Sequence, residues 1–257
     1  MSEDRVLLEI NDGIADVRLN RPEKLNALDT EMFQSIVRVG ESLKERSEVR
    51  AVVLSGAGDS FCSGADFAGM DLSELLAVPD GQITHVAQQA VWVWREIEVP
   101  VIGAIHGHTL GGGLQIALGP DLRIVHPEAK LSLLEIRWGA MPDMAASVTL
   151  AGLVGTEVMK EMYFTGRMVS GVEAVELGLA LRTSDDPHSA AMELASEIAS
   201  KNPDAIKSMK SLLNGVDQRT QAENLALERE YIGQILGSPN QVEASRAFAQ
   251  KRKPDFT

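Results

Sequence analysis

The sequence predicts an α/β fold with a helical C-terminal segment, and three observations carry the prediction. Short apolar runs of strand length alternate with helix-periodic stretches through the first part of the chain. After Gly155 the apolar residues fall mostly at helix spacing. Between the two, the run Leu110-Gly111-Gly112-Gly113-Leu114-Gln115 reads as a glycine turn between a buried strand and a helix start.

Arg5–Ile10 and Ile14–Leu19 are strand-like runs around Asn11-Asp12-Gly13, a hairpin signal. Asn20-Arg21-Pro22 ends the second strand. Asp29-Thr30 offers a helix cap, with Met32, Phe33, Ile36, Gly40 and Leu43 on one face. Arg50–Ser55 predicts a third strand, and the irregular composition of Phe67–Gly81 predicts a loop. Val86–Glu98 is helical in character, and Val99–Ile105 is the strand expected to feed the glycine turn. Asp121–Val125 and Lys130–Leu134 read as short strands, and Glu135–Ala146 as a loop and helix start, followed by an apolar helix through Leu150–Leu153. Asp143, just after Pro142, is best placed as a helix N-cap. Helices are expected over Ala190–Ser200, Asp204–Leu213 and Gln221–Leu236, with Asn202-Pro203 as a hinge. The expected division is a core over residues 1–200 and a helical region over 201–257.

A chain of 257 residues can bury a sizeable core. Its formal charge of −13 argues against nucleic acid or an anionic membrane as partner, and obliges any polyanionic ligand to find a local basic patch. The single cysteine, Cys62, rules out an internal disulfide framework and fits a reducing compartment. The acidic N-terminus lacks the pattern of a secretion signal, and no apolar run approaches membrane-spanning length. The expectation is a cytoplasmic protein with no membrane partner.

Gly64-Ala65 and Gly111-Gly112-Gly113 both come after strands. Brought together, they could offer two backbone N–H groups to one oxygen that gains negative charge. By spacing alone, two unrelated turns are the better reading, because glycine turns are common. Glu135 comes after Leu131-Ser132-Leu133-Leu134, as either a buried carboxylate or, more commonly, a solvated strand-end residue. The histidines, His106 and His108 among them, lack ligand-spaced partners, so no metal site is expected. Ser63 has no G-x-S-x-G elbow around it, which disfavours a serine hydrolase, and there is no P-loop.

In combination the motifs resemble the enoyl-CoA hydratase/isomerase, or crotonase, family over almost the whole chain. They run from Asn20-Arg21-Pro22-Glu23-Lys24-Leu25-Asn26-Ala27-Leu28, through Ser63-Gly64-Ala65-Asp66 and Leu110-Gly111-Gly112-Gly113, to Phe248-Ala249-Gln250-Lys251-Arg252-Lys253. Four modest motifs in this order are specific together. The resemblance implies a spiral of β-β-α units with a C-terminal helical trimerisation region, assembled as a homotrimer or dimer of trimers. It implies an acyl-CoA thioester substrate and no cofactor beyond that CoA. It places an oxyanion hole at the N–H groups of Ala65 and Gly112. CoA-lining positions match Lys24, Leu25, Ala65, Asp66, Phe67, Ala68, Gly111 and Gly112. Phe248 and Lys251 match positions that reach a CoA, often that of a neighbouring subunit, and Lys251-Arg252-Lys253 would supply the basic patch.

The acids bear on the reaction. Hydratases of the family carry two glutamates, at the positions of Gln115 and Glu135. An amide cannot exchange a proton near neutral pH, so the water-activating pair is incomplete here. A single glutamate at Glu135 is similar to family isomerases that move a double bond. Asp143 matches an acid of dienoyl-CoA isomerases, whose third acid is again missing at Gln115. The expectation is double-bond isomerisation, with Glu135 and Asp143 carrying protons and Gln115 orienting substrate or water. Hydration of a 2-enoyl-CoA in fatty-acid oxidation is the alternative, and a non-catalytic acyl-CoA-binding protein is the alternative of a different class. Met70, Trp92, Trp94, Trp138 and Met141 are the bulky candidates for shaping a pocket.

Overall fold

The Asn11-Asp12-Gly13 turn closes a hairpin. β1 (Val6–Asn11) pairs antiparallel with β2 (Ile14–Leu19), and Asp12 and Gly13 take φ of 50° and 77°, as a two-residue hairpin loop requires. The computed structural model describes residues 4–257; residues 1–3 of the acidic N-terminal stretch lie outside the described residues. Asp29 caps α1 (Thr30–Lys44) by accepting from the Met32 N–H at 2.8 Å, and the helix buries Met32, Phe33, Ile36, Gly40 and Leu43, the face its periodicity predicts. Then come β3 (Ala51–Gly56), α2 (Leu72–Leu75), α3 (Val86–Glu96), β4 (Val101–Ile105), β5 (His108–Leu110), α4 (Gly112–Ala117), β6 (Leu122–Val125) and β7 (Lys130–Ser132). The chain continues through α5 (Ala146–Thr149), α6 (Thr156–Thr165), β8 (Val169–Ser170), α7 (Gly171–Glu176), β9 (Arg182–Thr183), α8 (Pro187–Ala199), α9 (Pro203–Asn214), α10 (Gln221–Ile235) and α11 (Pro239–Gln250).

The strands form two sheets, one in the order β1-β2-β3-β4-β6-β9 and one in the order β5-β7-β8. From β4 onward the chain steps between them: β4 in the large sheet, β5 in the small, β6 in the large, β7 in the small. This is the β-β-α spiral in backbone terms. The large sheet is parallel apart from its β1 edge, and its inner strands β3 and β4 are buried on both faces. Val52 and Leu54 point into the main core with α1 and α3, while Ala51, Val53, Ile102 and Ala104 meet Ala191 and Ala195 of α8. Two single bridges, Cys62 with Thr109 and Leu28 with Ala65, extend the small sheet sideways in parallel.

Three expectations change. The strand that feeds the glycine turn is β5, because Gly107 turns the chain at φ 56° after β4 and sends it into the small sheet. Asp143 caps no helix: α5 begins after Ala145, which takes a left-handed φ of 67°, and it ends at Thr149, short of Leu150–Leu153. Asn202-Pro203 starts α9, with the Asn202 side chain accepting from the Asp204 N–H at 3.0 Å. Nor does that helix swing free. Lys210 is buried, donates to the carbonyls of Trp94 and Val99 at 3.1 and 2.9 Å, and pairs with Asp121 at 2.7 Å, so α9 is pinned to the core. Among the described residues no helix is long and apolar enough to cross a membrane.

Candidate active site

The two-sheet topology explains why distant motifs meet. Cys62, β5 and β7 lie side by side and parallel, so the chain leaves all three at the same end of the small sheet. It leaves Cys62 into Ala65, β5 into the glycine turn, and β7 into Glu135. A binding crevice beyond the carboxyl ends of parallel strands is the general expectation for such an arrangement.

The turns approach closely because glycine allows it. A Cβ on Gly113 would stand 2.3 Å from the Cys62 carbonyl oxygen, and one on Gly64 would stand 2.7 Å from that of Leu110 and 3.8 Å from the Gly112 nitrogen. Gly64 also needs its φ of 96°. The Gly111 N–H donates to Ser132 O at 2.8 Å, which ties the turn to β7. The N–H groups of Ala65 and Gly112 have no acceptor among the described residues. Both residues line a cavity of about 220 Å³ with Ser63, Phe67, Leu134, Glu135 and Trp138.

Glu135 opens a 3-10 turn (Glu135–Trp138), and its carboxylate sits against the glycine turn: a Cβ on Gly111 would lie 3.4 Å from Oε1. Gln115, on α4, is buried and engaged at both ends. Its Nε2 donates to Glu135 Oε1 at 2.7 Å, and its Oε1 accepts from the Met144 N–H at 2.7 Å. Those bonds fix the amide orientation and leave Glu135 Oε2 buried without a partner among the described residues. Burial pushes the Glu135 carboxyl above the usual carboxylate range; the Gln115 bond opposes the shift, and the nearby charge of Asp143 adds to it.

The remaining predicted residues divide. The N-terminal motif is stitched to the Ala65 turn: Ser63 N–H donates to Leu25 O at 2.9 Å, and buried Asn26 donates to the Ala57 and Ser60 carbonyls at 2.9 and 2.8 Å. Lys24 and Leu25 therefore lie beside Ser63, at the cavity edge. Asp66 is held by Arg21 at 2.9 Å, so its carboxylate has a structural partner. Phe67 is 63% exposed at the cavity, and Ala68 is exposed beside it. Asp143 is exposed and outside the cavity lining; it reaches Glu135 and His85 through its charge. Phe248 and Lys251 are not brought to this cavity. They line a separate groove of about 710 Å³ with Arg50, Lys201 and Lys253, where Arg252 is already paired with Glu243.

Of the bulky candidates, Trp138 lines the cavity, whereas Trp94 is fully buried in the core and Met70 packs against it. Sequence reasoning missed Met144, whose backbone N–H fixes Gln115, and Tyr163, whose buried hydroxyl lacks a partner among the described residues. The only signal for Tyr163 was a hydroxyl on an otherwise apolar helix face. Among the described residues no group of three or more His, Cys, Asp or Glu is placed to hold a metal ion.

Fold and site together define an α/β protein in which the cavity-lining carboxylate of Glu135 stands beside two backbone N–H groups without acceptors among the described residues, at the end of a small parallel sheet. The sequence profile of the family described as enoyl-CoA hydratase/isomerase matches residues 9–257. The chain is 32% identical to a short-chain-enoyl-CoA hydratase of Clostridium acetobutylicum, over 98% of this chain and 97% of that protein. It is also 32% identical to the mouse enoyl-CoA hydratase domain-containing protein 2, mitochondrial, over 96% and 85% of the two chains. The crystal structure of an enoyl-CoA hydratase from Bacillus anthracis superposes with a TM-score of 0.87 at 28% identity, covering 98% of each chain. The chain belongs to the enoyl-CoA hydratase/isomerase family and is an enzyme of that family.

Proposed function

We propose that this enzyme shifts a double bond in an enoyl-CoA thioester, with Glu135 as its single proton carrier. The observation that carries the reading is the state of the Glu135 carboxylate. One oxygen is held by Gln115, an amide that can neither give nor take a proton near neutral pH, and the other is buried without a partner among the described residues. A hydratase of the two-glutamate kind needs a second carboxylate there.

The reaction balances on one base. With the thioester oxygen between the N–H groups of Ala65 and Gly112, Glu135 removes a proton from C2 of a 3-enoyl thioester. The electron pair delocalises onto the thioester oxygen and C4, and each backbone donor can stabilise that oxyanion by ~3 kcal/mol. The protonated Glu135 returns the proton at C4, leaving the 2-enoyl thioester and the carboxylate regenerated. A carboxyl group with a raised pKa holds a proton more firmly and suits both halves of this transfer.

Asp143 fits as a modulator better than as a second carrier, because it is exposed and lies outside the cavity lining. Its negative charge disfavours ionisation of Glu135, so Asp143→Asn should lower the Glu135 pKa. The acid limb of the pH–rate profile should then move to lower pH, with kcat changed by less than about ten-fold. A loss as deep as that of a Glu135 variant would restore Asp143 as a proton carrier.

The exposed Leu213, Leu225, Ile232 and Leu236 support an assembly in which the C-terminal helices pack against further copies. In a trimer or dimer of trimers, Phe248 and Lys251 would serve a neighbouring subunit's CoA. The names of the relatives favour the second reading, hydration of a 2-enoyl-CoA. A panel of 2-enoyl-, 3-enoyl- and 3,5-dienoyl-CoA separates the two. Isomerisation gives an absorbance change without change of mass, and hydration adds the mass of water.

A further inference from the structure

α6 is pressed against the turn that carries Glu135. Ser132 Oγ donates to Gly166 O at 2.8 Å just beyond the helix, and a Cβ on Gly166 would lie 2.9 Å from Ile136 Cγ2. One helical turn back stands Tyr163. Its ring packs against the main core, and its hydroxyl is buried without a hydrogen-bond partner among the described residues. Glu135 Oε2, on the facing turn, is buried and unpartnered in the same way. Buried polar atoms are rarely left orphaned, and two orphans on packed elements suit one bridging water molecule.

We propose that Tyr163 is a positioning residue for Glu135, its hydroxyl holding carboxylate oxygen Oε2 through a single water as Gln115 holds Oε1 directly. This rests on Glu135 being the base of the site. Burial first, and then the charge of Glu135, push the Tyr163 phenol up to about 12, so it stays protonated and available as a donor at any working pH. Among the described residues, the other charged groups on the two facing elements point to solvent. Glu157, Lys160 and Glu161 of α6 are exposed, as is Arg137 on the Glu135 turn. Among the described residues, the charged side chain that bears on Glu135 is Asp143. A donor aimed at Oε2 stabilises the ionised carboxylate and works against the burial that raises its pKa. It also directs the remaining lone pair of that oxygen at the cavity.

The test is a carbon-13 NMR titration of Glu135 in protein labelled at glutamate, its resonance assigned by loss in Glu135→Gln. The titration compares wild type with Tyr163→Phe. Losing the donor should raise the Glu135 pKa by about half to one unit. The acid limb of kcat/KM should move up with it, and kcat should fall more than KM changes. Tyr163→Phe adds no atom, and Tyr163→Met removes the same donor should the first variant fold poorly. An unchanged Glu135 pKa in a folded Tyr163→Phe protein would overturn the proposal. The titration needs no substrate, so a wild type that turns over no enoyl thioester would count against the proposed reaction and leave this result readable.

Discussion

Glu135→Gln is expected to lower kcat by about a thousand-fold or more while acyl-CoA binding stays within a few-fold of wild type. The substitution keeps the shape and the oxygen that accepts from Gln115 Nε2. What disappears is the ability to carry a proton. The cavity walls, the Ala65 and Gly112 N–H groups and the contacts of the Lys24-Leu25 segment are untouched, so the ground-state complex should survive. Steady-state kinetics together with calorimetric titration of a saturated acyl-CoA checks both halves. A variant that keeps turning over removes Glu135 from the chemistry. One that loses binding as well assigns it to the architecture of the pocket.

Gly113→Ala should damage both fold and rate. The added Cβ would meet the Cys62 carbonyl oxygen at 2.3 Å, a backbone atom that no side-chain rotation can relieve. Either Cys62 moves away from Thr109 or the glycine turn lifts, and each displaces Gly112 from Ala65. Overpacking of this kind costs about 3 kcal/mol of stability, read as a lower denaturant midpoint. Misplacing the Gly112 N–H, the proposed oxyanion donor, should reduce kcat by about a hundred-fold in whatever protein still folds. Full activity would mean that the close approach of the two turns has no part in the reaction.

How much of this was legible in the sequence differs from element to element. The hairpin, the Asp29 cap and the apolar face of α1 came from local rules, because each is decided by residues close in the chain. β5 escaped because three residues, His108–Leu110, carry too little pattern, and their strand character comes from the parallel pairing with β7. Asp143 looked like a cap because Pro-Asp often starts helices, yet the left-handed Ala145 moved the start of α5 beyond it. The meeting of Ala65, Gly112 and Glu135 could not be read from spacing, since it depends on three segments leaving one sheet at the same end. The family resemblance supplied that expectation.

Gln115 shows the same limit at a single residue. Its identity announced that a second carboxylate was missing. Only the fold reveals that its amide is locked between Met144 and Glu135, so that the substitution has become part of how the remaining acid is held. On a chain of net charge −13, Lys201, Lys251 and Lys253 gather around the C-terminal groove, a local basic cluster that total charge does not reveal.

The most direct test of the central claim, that Glu135 moves a proton next to a thioester, is hydrogen exchange at carbon. A 3-enoyl-CoA incubated with the enzyme in deuterium oxide should yield conjugated 2-enoyl-CoA with no added water. Deuterium should enter at C2 of recovered substrate with wild type and stay out with Glu135→Gln. Addition of water to 2-enoyl-CoA with no exchange or conjugation of the 3-enoyl thioester would contradict the account.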